Sequence, residues 1–136
     1  MKKRTSAVAA FAALALCAAL SSTTPARAAE PPAVAKTEID HLLDYVGSSG
    51  CDFYRNGSWF DGKHGQAHLR QKYEILVGRD MIQVASDFIE KAATQSSFSN
   101  LAYKVRCGSA EPVPSAQWLN AELARFRSAF RHVNAG

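Results

Sequence analysis

The sequence has little cysteine and none at redox spacing. Cys17, Cys51 and Cys107 are the only three in 136 residues. The C-x-x-C element on which dithiol exchange rests is therefore missing. A G-x-S-x-G nucleophile elbow is missing too, which removes the hydrolase context a serine would need. His64 and His68 stand one helical turn apart, but Gly65 occupies the position where H-E-x-x-H zinc proteases carry their glutamate base. No third ligand is evident, since His41 and His132 are remote in sequence, so no metal and no cofactor is expected. Repeats and low-complexity segments are absent beyond the N-terminal segment. The apolar run from Ala7 to Leu20 is shorter than the roughly 20 residues a spanning helix requires.

What stands at the N-terminus sets the compartment. Lys2, Lys3 and Arg4 precede that apolar run, and Ala26-Arg27-Ala28 follows it with small residues at the cleavage-site positions. This is the pattern of a secretory signal over residues 1–28, cleaved after Ala28, and it predicts an exported protein. Leu16, bulky before Cys17, argues against lipid attachment at that cysteine. Cleavage removes four positive charges and no acid from a formal charge of +4, leaving 108 residues with net charge 0. The basic balance thus belongs to the leader and is no argument for a nucleic-acid partner. A chain of this size has room for one modest core.

Cys51 and Cys107 remain after cleavage as an even pair in an oxidising space, where such pairs bridge. Closing a loop of about 57 residues is worth roughly 4 kcal/mol in the chain-entropy model. Residues 29–36, with Pro31-Pro32, read as a flexible lead-in to a single domain over 37–131. Four helices are expected. The first runs from about Val34 to Ser48, with Ile39, Leu42, Leu43 and Val46 as its apolar stripe and Glu38 off it. The second runs from Asp61 or Gly62 to Val77 on Leu69, Tyr73 and Leu76. A third lies near Ala85–Thr94, with Phe88, Ile89, Ala92 and Ala93 inward. The fourth covers about Ala116–Phe130, with Ser115 as N-cap and Arg125, Arg127 and Arg131 near its carboxyl end, where the helix dipole favours cations.

Cys51–Arg55 and Tyr103–Arg106 are extended in character. Asn56-Gly57 is the strongest turn signal in the chain. Either it folds Ser58-Trp59-Phe60 back as a hairpin, or it leads into the next helix and leaves Tyr103–Arg106 as the strand partner. The second reading is favoured because the bridge joins those segments. The expected fold is α+β and mainly helical, with about four helices around a short two-stranded antiparallel pair and one disulfide.

Arg55-Asn56-Gly57, His68-Leu69-Arg70 with Lys72, Phe88-Ile89, Ser96-Ser97 with Ser99, and Tyr103 with Val105 occur in that order. Over about Ile39–Leu123 this set resembles the YfeK-like family of small exported bacterial proteins of unknown function. The resemblance implies a periplasmic protein and brings no reaction, ligand or catalytic residue. Such proteins usually have threonine where Val84 stands and glycine where Asn100 stands. The third helix should then start later, near Ser86, or fray, while Asn100 should still support a left-handed turn.

Three constellations remain. Arg55, His68, Lys72, Ser96, Ser97 and Ser99 form a polar pocket with anion-binding character if they converge near the bridge, or else a buried hydrogen-bond network. Trp59 and Phe60 beside the turn form a contact patch or cover the end of the core. Ser97, His68 and Asp52 can be drawn as a triad, although serine clusters more often form turns. The favoured function is a non-enzymatic binding or interaction module of the periplasm, with an envelope protein or small ligand as partner. The alternative is a small hydrolytic or metal-assisted enzyme using His68 and the Ser96–Ser99 loop.

Overall fold

The computed structural model describes residues 29–135. The expected signal segment, Cys17 included, lies outside the described residues. Helix α1 (Ala33–Ser48) is followed by strands β1 (Asp52–Arg55) and β2 (Ser58–Phe60), then helices α2 (Gly62–Gly78) and α3 (Ala85–Ala92), strands β3 (Lys104–Arg106) and β4 (Val113–Pro114), and helix α4 (Ser115–Asn134). Among the described residues the fold is α+β, with four helices and one antiparallel sheet. The expected lead-in is helical from Ala33 onward, because Pro32, with its fixed φ, sits as N-cap and its carbonyl accepts from Lys36 N at 3.0 Å.

The sheet is wider than the expected pair. Its strand order is β2-β1-β3-β4, all neighbours antiparallel. The two readings of Asn56-Gly57 are therefore not alternatives. β1 pairs with β3, as favoured, and also with β2 through the hairpin that was set aside. The turn explains this outcome: Asn56 has φ 50° and Gly57 φ 89°, the doubly left-handed geometry that matches strand twist in a two-residue hairpin. Cys51 and Cys107 are disulfide-bonded across 56 positions, immediately before β1 and after β3.

The predicted stripes build the core. Ile39, Leu42, Leu43 and Val46 of α1 are fully buried, and Leu69, Tyr73 and Leu76 of α2 and Phe88, Ile89 and Ala92 of α3 are buried with them. The sheet lays Phe53 and Val105 on this core, and α4 adds Leu119 and Leu123. Two glycines let α2 approach closely. A Cβ on Gly62 would stand 2.6 Å from the Val46 carbonyl oxygen, and one on Gly65 would stand 3.2 Å from the Phe53 ring.

Capping differs from expectation at the start of two helices, while α3 ends earlier, at Ala92, and α4 runs further, to Asn134. α3 begins at Ala85 rather than near Ser86. Val84 has no capping oxygen, but Asp87 supplies the missing acceptor: its carboxylate takes hydrogen bonds from the Val84 and Gln83 amides at 3.1 and 2.9 Å. α4 starts at Ser115 with Pro114 as N-cap, because Ser115 is drawn inward and its amide donates to the Tyr103 carbonyl at 3.0 Å. Asn100 does adopt φ 58°, as expected.

Candidate functional site

The site lies where β1, α2 and Tyr103, just before β3, meet. Period-two alternation decides what faces it. Phe53 pairs with Phe60 and with Val105, and these side chains share the inner face. Tyr54 pairs with Trp59 and Lys104 on the outer face. Trp59 and Phe60 therefore do not form one patch. Trp59 packs outside against Tyr54 at 5.3 Å between centroids, with the Arg106 guanidinium 4.2 Å above its ring. Phe60 turns inward and carries the Arg55 guanidinium 5.1 Å from its centroid.

Beneath β1 is an open pocket of about 110 Å³. Phe53, Tyr54, Phe60, Gly65 and Leu69 form its largely apolar wall, and Arg55, His64, His68, Tyr103 and Ser115 add polar atoms. The close approach of Gly65 to Phe53 sets one side of it.

The polar wall is a chain of hydrogen bonds. Arg55 Nη1 lies 2.7 Å from His68 Nδ1. A guanidinium can only donate, so Nδ1 must accept, and the imidazole is the tautomer protonated at Nε2. That N–H then donates to Tyr103 Oη at 3.0 Å. Lys72 Nζ donates to the same oxygen at 3.4 Å and to the Gln95 carbonyl at 3.0 Å. Burial, then the Arg55 and Lys72 charges, push the His68 pKa down to about 4, so the ring is neutral near pH 7. Burial and then the Arg55 charge lower the Lys72 pKa as well. Burial raises that of Tyr103, against a smaller opposing effect of Arg55. Among the described residues, no carboxylate pairs with Arg55 or Lys72.

The serine loop belongs mainly to structure. Buried Ser96 accepts from the amides of Phe98 and Ser99 at 3.2 Å each, which turns its own loop. Ser99 Oγ donates to Asn56 Oδ1 at 2.6 Å and ties that loop to the hairpin turn. Ser97 is exposed and makes none of these contacts. Both ring nitrogens of His68 are engaged by Arg55 and Tyr103, and Asp52 pairs with Arg106 at 3.2 Å, so Ser97, His68 and Asp52 are not joined as a triad. Arg55, His68 and Lys72 do converge through Tyr103; Arg55 and His68 line the pocket, and Ser96, Ser97 and Ser99 do not. His64 is held by Asp61, the α2 N-cap, at 2.8 Å. Among the described residues, no group of three or more His, Cys, Asp or Glu side chains is placed to share a metal.

Tyr103 is the residue sequence reasoning missed. It stood in an extended segment and in the ordered set, with no part in the polar group, yet its hydroxyl joins His68 to Lys72. Its alternation with Val105 was the available signal, since a phenol on an inward face needs a polar partner.

This architecture, a small disulfide-closed helical layer on a four-stranded sheet, defines the class of domain. Residues 33–127 match a family of unknown function, DUF5329, and the chain belongs to it. The match bears out a family of unknown function and does not carry the YfeK-like naming. Comparison with curated proteins and with solved structures finds no match.

Proposed function

We propose that the protein is a non-enzymatic binding module of the periplasm, exported by cleavage after Ala28, and that the pocket beneath β1 is its binding site. One observation carries this reading. Arg55 lines an apolar pocket, bonded to a neutral histidine, and Lys72 donates to the tyrosine on the same wall, with no carboxylate among the described residues to neutralise either. A purely structural network tends to match its buried charges, because unmatched ones are costly. A disulfide and the lack, among the described residues, of any helix long and apolar enough to cross a membrane agree with an exported protein. The enzyme alternative has no support in the geometry, because Ser97 and His68 do not meet.

The test is protein-observed NMR on the mature chain, titrated with low-molecular-mass fractions of the producing cell's envelope. Saturable shifts at Phe53, Gly65 and Ser115 are expected with at least one fraction. If none moves these amides, the pocket is not a binding site. Fractionation and N-terminal sequencing should find the chain in the periplasm, beginning at Ala29.

A further inference from the structure

Arg55, His68 and Tyr103, three of the polar side chains on the pocket wall, offer donors and no spare acceptor, and this narrows what that part of the wall can hold. Tyr103 Oη has two lone pairs, and the His68 Nε2–H and the Lys72 ammonium are directed at it. Among the described residues, none accepts the phenol's own proton. Arg55 uses one N–H on His68 and stacks on Phe60, leaving further N–H groups of its fork unengaged. His68 cannot accept, because Nδ1 is taken by Arg55 and Nε2 carries the proton. A ligand at this wall therefore meets a guanidinium fork and an O–H, both donating, beside phenyl and leucyl surface.

Resting on the reading of this pocket as a binding site, we propose that its ligand is a small carboxylic acid with a compact apolar body. The carboxylate would sit between Arg55 and Tyr103, and the body against Phe53, Phe60, Gly65 and Leu69. A carboxylate has acceptors only, fits the fork with two parallel bonds, and supplies the missing negative charge. Volume limits the body. An engineered cavity of about 150 Å³ holds benzene, so about 110 Å³ encloses little more than one ring or a short branched chain.

Benzoate, benzamide and inorganic phosphate, titrated separately into the mature chain at pH 7, test this. Benzoate should shift Phe53, Gly65 and Ser115 saturably. Benzamide, the same shape with two donors and no charge, should bind about tenfold more weakly, the loss expected for a charge-assisted hydrogen bond. Phosphate should be weaker than benzoate, because it leaves the apolar wall unfilled. Arg55→Met should weaken benzoate by about tenfold or more and Tyr103→Phe by a smaller factor. The comparison of benzoate with benzamide needs no variant, so a poorly folding Arg55→Met leaves the test intact. Equal binding of benzoate and benzamide would refute the carboxylate assignment while keeping the pocket as a site. Phosphate binding as tightly as benzoate would refute the apolar body. Tighter binding of a peptide ending in a free phenylalanine carboxylate would shift the ligand from a small acid to a protein terminus. If none of the probes binds and no envelope fraction moves the pocket amides, the binding-site reading falls as well.

Discussion

The packing of α1 on α4 and the wall beneath β1 are both polar regions set against the core, the carboxylates of the first buried and the cations of the second half-buried, and they are built on opposite principles. Where α1 meets α4, carboxylates are matched. Glu38 is 6% exposed and receives both Nε and Nη2 of Arg127, at 2.6 and 2.7 Å. Glu122 is 4% exposed and receives His41 at 2.5 Å and Arg125 at 2.8 and 2.6 Å. Burial alone would disfavour the Glu122 anion, but the hydrogen bonds from Arg125 and His41 outweigh it, and its pKa is lowered. His41 also stacks on Phe126 at 3.9 Å, so the ion pairs sit in an aromatic seam with Tyr45 and Trp118. Beneath β1, by contrast, two cations share neutral partners. A matched cluster has no net attraction for a charged ligand. An unmatched one keeps that attraction, and here it does so beside an open cavity.

The strongest perturbation acts on both regions at once. Replacing Cys51 and Cys107 by serine should lower unfolding stability by about 4 kcal/mol, the chain-entropy value for this loop. Trp118 reports the α1–α4 seam and Trp59 the sheet, so single-tryptophan variants can follow each region in a denaturant titration. Coincident transitions, both shifted, are expected. A sheet that melts before the α1–α4 seam would show that the domain is not one cooperative unit.

The next variant separates the regions. Arg127→Met leaves Glu38 buried without its partner, and a loss of about 2–3 kcal/mol is expected, with ligand binding unchanged. Arg55→Met leaves no buried carboxylate behind. It should change stability by under about 1 kcal/mol while removing the charge the pocket presents. Equal losses for the two variants would mean that Arg55 is as structural as Arg127. Asp87→Ala is a control outside both regions. It deletes the acceptor that starts α3 and its ion pair with Lys91, and should cost about 1 kcal/mol. The Lys91 and backbone hydrogen bonds depress the Asp87 pKa to about 2, so its contribution is present above the ordinary carboxylate range and is lost as pH falls toward 2.

The contrast between the regions was only partly legible in the sequence. The helices and the cystine bridge follow from local information: 3.6-residue apolar stripes, a leader, and an even cysteine pair. The hairpin signal at Asn56-Gly57 was equally local. It ranked second because the bridge pointed to Tyr103–Arg106 as the partner, whereas β1 takes both partners. Long-range charge matching was not readable. Glu38 lies beside the Ile39–Val46 stripe on a helical wheel and looks solvated, and its partner is 89 positions away. The arginines of α4 looked like complements to the helix dipole for the same reason. Arg55, His68, Lys72 and Tyr103 all stood in the ordered set along the chain. Tyr103 was not read as part of the polar group, because that role depends on how the segment before β3 is placed against α2. The serines belonged to the pocket only if their loop converged with Arg55 and His68, and instead Ser96 turns its own loop and Ser99 ties it to the hairpin.

The smallest effect bears most directly on the pocket side of the comparison, and it is a pH effect. His68 has an ordinary pKa of 6.5 and is held at about 4 in the folded chain, first by burial and then by Arg55 and Lys72. Between those values the unfolded chain binds the extra proton and the folded one does not. Stability from this residue is therefore complete above about pH 6.5 and declines as pH falls toward 4. Arg55→Met removes one charge and leaves the burial, so the His68 pKa should rise part of the way back. The Cε1 proton, followed by NMR against pH, reads this directly in both proteins. Carboxylates also titrate near pH 4, but they do so in both chains, so the difference between the two stability curves over pH 4 to 6.5 isolates His68. The variant curve should fall less steeply than the parent. Superimposable curves would mean that Arg55 does not bear on the His68 ring, and the chain from guanidinium to imidazole to phenol would lose its first link.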